Sequence, residues 1–97
     1  MKWSDLMWRD TFAGAQQSRL SFGTQYELSI VTELNEPDLY ECAIFSGDDF
    51  AILPGIHPEG DDDFLDETLR FQTRIEVIGI IRKLESITGK SPLNVYN

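Results

Sequence analysis

The stretch DFLDETLRFQTRIEVIGIIRKLESIT, residues 63–88, decides how this chain is read. Two periods compete in it. Leu69, Phe71, Thr73, Ile75 and Val77 alternate with polar residues, which is strand behaviour, and the β-branched side chains agree. Phe64, Thr68, Phe71, Ile75 and Ile78 instead fall on one helical stripe. Acids precede the segment, the bases Arg82, Lys83 and Lys90 close it, and Gly89 stands where a terminating glycine belongs, with Pro92 beyond. The balance favours a helix over 63–88.

A helix of that length has a consequence. At about 1.5 Å per residue it spans roughly 39 Å, whereas a globule of this size is only about 33 Å across. Either the helix breaks, with Gly79 the obvious place, or its far end packs on another chain. The second outcome predicts a homodimer whose interface is Ile80, Ile81, Leu84 and Ile87, with Val77 alongside.

Upstream, residues 2–17 (KWSDLMWRDTFAGAQQ) read as a short helix. Ser4 is its N-cap and Gly14 lies near its end, and Trp3/Met7 and Trp8/Phe12/Ala15 form two apolar rows. Residues 26–34 alternate as a strand, NEPD turns, residues 39–46 resume as a strand, and GDD at 47–49 signals a hairpin into a third short strand at 50–54. A further short strand at 19–22 is possible in the pattern. The expected fold is α+β: an N-terminal helix, an antiparallel meander of three to four strands, and a long C-terminal helix packed on the sheet, all in one domain over 1–97.

Composition narrows the function classes. The 97 residues include six Phe, three Tyr and two Trp within a 41% hydrophobic share, which suits a packed core and not a disordered chain. Net charge is −9, and thirteen of the seventeen acids lie between residues 20 and 69, where no Lys or Arg occurs. Such a segment repels phosphate, so no nucleic acid is expected, and it favours a basic protein partner. There is no long apolar run for a membrane and no apolar leader, so a cytoplasmic protein is expected.

The densest chemistry is PEGDDDFLDE at 58–67. Counted from Asp61, an EF-hand loop requires Gly at the sixth place and Glu at the twelfth, but Asp66 and Gln72 stand there. The run reads instead as a helix start capped by Asp63 and Asp66, and as a docking surface with Asp61 and Asp62, joined by Asp48 and Asp49. No metal or cofactor is expected.

TGKS at 88–91 lacks the upstream glycine of a phosphate loop and ends a helix rather than opening one. His57 and Cys42 are single, which excludes a Cys/His metal site within the chain. Cys42 shares the inward face with Tyr40 and Ile44, so it reads as a structural thiol. The leading expectation is a non-enzymatic, acidic, homodimeric module that docks a basic protein surface, inhibitor- or adaptor-like. Two alternatives are a small-molecule or catalytic pocket around Tyr26, Tyr40, Trp8 and His57, and a structural homodimer.

Overall fold

The computed structural model describes residues 1–11, 13–58 and 68–96. These residues build a mostly antiparallel sheet of seven strands and one short C-terminal helix: β1 (Arg9–Asp10), β2 (Gln16–Phe22), β3 (Tyr26–Glu33), β4 (Glu36–Ser46), β5 (Asp49–Phe50), β6 (Thr68–Gln72), α1 (Arg74–Thr88) and β7 (Leu93–Asn94). The spatial order is β1-β2-β3-β4-β5, with β6 also on β4 and β7 also on β2.

The core follows from alternation. Leu20 faces Leu28, which faces Ile44, and Ile30 stands between Ser18 and Cys42. These side chains, with Phe22 and Leu69, lie on one side of the sheet. Val77, Ile80, Ile81 and Leu84 of α1, together with Leu6, complete the same cluster. At about 1.5–3 kcal/mol for each fully buried aliphatic side chain, this single cluster is the main stabilising element. The opposite sheet side carries Gln17, Arg19, Glu27, Ser29 and Glu41, the mixed composition of a sheet face turned away from the core.

Two expected helices are corrected. The N-terminal segment holds only a 3-10 turn at Trp3–Asp5 and then strand β1. Residues after β1 are drawn into a hairpin with β2: the Thr11 amide donates to the Ala15 carbonyl, and Gly14 takes a positive φ of 86°. The extended path lays Trp3, Leu6 and Trp8 against the core and leaves Met7 of the expected first row exposed. Phe12 of the expected second row lies outside the described residues.

The long helix over 63–88 is likewise replaced by a strand followed by a 15-residue helix. Thr73 decides the boundary: its hydroxyl accepts from the Glu76 amide at 3.2 Å, and the Glu76 carboxylate accepts from the Thr73 amide at 3.0 Å. This reciprocal cap starts a helix at Arg74 and leaves the alternating residues before it free to pair with β4. Gly89 closes the helix at φ 65°.

At about 1.5 Å per residue, α1 is roughly 22 Å long and fits within a molecule of 33 × 31 × 26 Å. Gly79 lies inside it without a break. The geometry that required a second chain is therefore gone: Ile80, Ile81 and Leu84 are buried in the chain's own core, and only Ile87 of that set is exposed.

Candidate partner-binding site

Two irregularities in the ladders shape one end of the sheet. Between β3 and β4, Thr32 faces Tyr40 but Glu33 already faces Glu36, so residues 37–39 bow outward. Pro37 sits in this bow, where a missing N–H costs the ladder nothing. Between β4 and β6, Tyr40 faces Gln72 while Cys42 faces Leu69: two steps on β4 oppose three on β6. The extra residue is a bulge, and Phe71 occupies it at φ 55°.

A left-handed backbone is normally given to glycine, and a bulky side chain there is strained by roughly 1–2 kcal/mol. The bulge re-aims two neighbours. The Phe71 ring remains 53% exposed, and the Arg70 guanidinium lies 4.9 Å from its centroid. Arg70 stays exposed and reaches two carboxylates, with Nη2 3.0 Å from Glu33 Oε2 and Nε 3.1 Å from Glu41 Oε2.

Glu33 is the buried member of this set, its side chain only 6% exposed. A carboxylate taken out of water that far needs a charged partner, and Arg70 supplies it. The three groups border a cleft of about 490 Å³, whose rim also holds Glu36, Phe71 and Leu34. Three carboxylates and one guanidinium line the cleft, so it is acidic. Leu34 is 67% exposed beside it, which gives the acidic floor an apolar rim together with Phe71.

On the other side of the bowed residues, Trp3, Trp8 and Tyr40 pack as a triangle. Their ring centroids are 5.1 Å apart for Trp3–Tyr40 and 5.9 Å for the other two pairs. They border a second groove of about 370 Å³ together with Pro37, Gln16 and Thr32. Burial raises the Tyr40 phenol pKa, with Arg74 opposing and Asp38 adding to the rise. Arg74 also lies 5.6 Å from the Trp3 ring centroid.

Of the four residues expected around an aromatic pocket, the fold joins Trp8 and Tyr40 but not the other two. Tyr26 stands at the far end of β3 from Thr32, the partner of Tyr40; six residues at about 3.3 Å place it roughly 20 Å away. His57 is buried inside its own turn, where Nδ1 accepts from the Leu53 amide at 3.0 Å. Cys42 is sealed in the core, where burial and then Glu41 push its thiol up to about 12. That leaves it un-ionised and out of reach as a nucleophile.

Asp48 and Asp49 are exposed at the β4–β5 turn, whereas Glu36 begins β4. Five residues of strand, roughly 17 Å, run from Glu41 of the cleft to Ser46 at the end of β4, just before that turn. Asp61, Asp62, Asp63 and Asp66 lie outside the described residues. Among the described residues no group of three or more His, Cys, Asp or Glu side chains is placed to hold a metal ion, and no helix is long and apolar enough to cross a membrane.

Glu33, Arg70 and Phe71 were not singled out from the sequence as site residues. The alternation over 69–77 was the available signal, because a strand there would have set Arg70 against the acidic β4. Comparison of the chain with known protein families, curated proteins and solved structures finds no match.

Proposed function

We propose that this protein is a small acidic binding module whose cleft at Glu33, Glu36 and Glu41 receives a basic side chain of a protein partner. The exposed Phe71 and Leu34 then pack on the apolar surface around that side chain. The observation that carries the reading is the bulge: a strained Phe71 holds its ring in solvent beside a buried carboxylate and its arginine. Backbone strain concentrates where a site must be pre-organised, and here it displays an aromatic group of the kind that anchors protein interfaces. Charge agrees with this role, since acidic surroundings steer a basic partner in solution.

The cleft is apart from Asp48 and Asp49 of the partner surface expected from sequence, and the other members of that surface, Asp61, Asp62, Asp63 and Asp66, lie outside the described residues. A catalytic role draws no comparable support from Cys42, which is neutral and buried. The test is affinity capture from the source cell with the unmutated protein and with a Glu36→Lys, Phe71→Gly double variant in parallel. A basic protein retained by the first, lost by the second and released by salt supports the cleft. Identical captures from both proteins would remove it.

A further inference from the structure

A third recess, of about 360 Å³, lies between the N-terminal turn and α1, apart from the acidic cleft. Leu6 and Ile81 line it although they are only 5% and 7% exposed, so its floor is a window onto the hydrophobic core. Trp3 and Ile78 extend the apolar lining, and Lys2, Arg82 and Glu85 supply the charge.

The two bases are exceptional in this chain. Of its eight Lys and Arg, Arg19 and Arg70 are ion-paired, Arg9 and Arg74 lie over rings, and Lys83 donates to the Gly55 carbonyl. Lys90 packs its stem beside Gly23. Lys2 and Arg82 remain, and among the described residues neither has an ion-pair or ring partner. Even Arg82 and Glu85, three residues apart on α1, form no ion pair. The lining thus carries two cations against one acid. Just outside it, Asp5 accepts from the Lys2 amide at 2.7 Å while Arg74 covers the Trp3 ring, and these two charges offset each other. One positive charge is left over in a chain of net charge −9.

We propose that this recess binds a medium-chain aliphatic carboxylate. The alkyl chain lies on Leu6, Ile78, Ile81 and the Trp3 ring, and Lys2 and Arg82 hold the carboxylate at the rim, one from each wall. An apolar lining with a few polar groups is the composition of a small-molecule site, and this volume is near the lower end of the range of about 300–1,000 Å³ for such sites. It suits one short chain and not a folded surface. The single uncompensated charge matches a monoanion, and a guanidinium fork fits the two oxygens of a carboxylate.

Trp3 lines the recess and Trp8, the only other tryptophan, lies 5.9 Å from it, so intrinsic fluorescence reports on occupancy. The probes are hexanoate, octanoate and decanoate, each below its micelle concentration, with decanol as the uncharged control. Decanoate is expected to give a saturable change in tryptophan emission. Affinity should rise about threefold to fourfold per added methylene along the series. Decanol should bind roughly tenfold more weakly than decanoate, the worth of one charge-assisted hydrogen bond.

Both bases are exposed, so Arg82→Gln and, independently, Lys2→Gln leave the core untouched. Each should weaken decanoate toward the level of decanol while decanol itself binds as before, which a merely misfolded variant would not do. Equal binding of decanoate and decanol would overturn the proposal, as would affinity indifferent to chain length. The absence of any saturable response, or a decanoate response unchanged in both variants, would overturn it as well.

Discussion

Arg70 donates to Glu33 across 37 residues of sequence at 3.0 Å, and so ties the edge strand β6 to the end of β3. The two members are unequal, because the Glu33 side chain is 6% exposed and that of Arg70 is 52% exposed. The pair therefore serves chiefly to neutralise Glu33. Arg70→Ala leaves that carboxylate buried opposite fewer positive charges and is expected to cost roughly 1–3 kcal/mol, toward the lower end because solvent reaches half of Arg70. Glu33→Gln, which removes the buried charge itself, should cost less. Urea unfolding of the two variants checks the order; a larger loss in Glu33→Gln would contradict it.

Phe71 separates strain from packing. Both Phe71→Ala and Phe71→Gly delete the ring, but only glycine accepts φ 55° without penalty. The glycine variant is expected to be more stable than the alanine variant by about 1–2 kcal/mol, read from denaturant midpoints. Partner binding should fall in both. A site kept strained for function behaves in this way: relief of the strain raises stability and lowers activity.

Leu84 tests where the C-terminal helix packs. It is fully buried in the core cluster. Leu84→Asp should therefore unfold the protein, at a cost exceeding the roughly 2–5 kcal/mol typical of a core Leu→Ala change. The exposed Ile87→Asp should stay within about 0.5 kcal/mol of the parent. A folded, soluble Leu84→Asp protein would restore the interface that the sequence pattern suggested.

That contrast shows what was legible in the sequence. The segments 26–34 and 39–46 could be placed as strands because their alternation leaves Leu28, Ile30, Cys42 and Ile44 on one face, and period two has no helical reading there. Residues 69–77 satisfy both periods, and what separates them is the reciprocal cap at Thr73 and Glu76, a pattern that also fits the middle of a continuous helix. The N-terminal rows were misassigned because spacing alone does not distinguish a two-sided helix from an extended segment lying across a core.

The site was less legible still. Glu33 looks like any other alternating polar residue until a bulge buries it, and nothing about a phenylalanine announces a left-handed backbone. The Trp8–Tyr40 contact was visible only as a shared aromatic character, and the inclusion of Tyr26 and His57 had no topology to correct it.

Cys42 gives the pH dependence. Its folded pKa is raised from 9.0 to about 12, mainly by burial. The unfolded thiol therefore loses its proton first. The stabilisation is fully present below pH 9 and is lost progressively as pH rises toward 12, at up to about 1.4 kcal/mol per pH unit. Cys42→Ala should show a shallower decline over that window when denaturant melts of the two proteins are compared. Parallel declines would mean that the native thiol ionises as readily as the unfolded one.

The acidic cleft is tested most directly by amide chemical-shift mapping on isotope-labelled protein at low ionic strength, with a short Lys/Arg-containing peptide as the probe. Binding in the cleft predicts shifts that saturate together at Glu33–Glu36, Glu41, Arg70 and Phe71, and that shrink with added salt over the screening range of about 8–10 Å. Shifts confined to the Asp48–Asp49 turn, or a uniform drift without saturation anywhere, would contradict it.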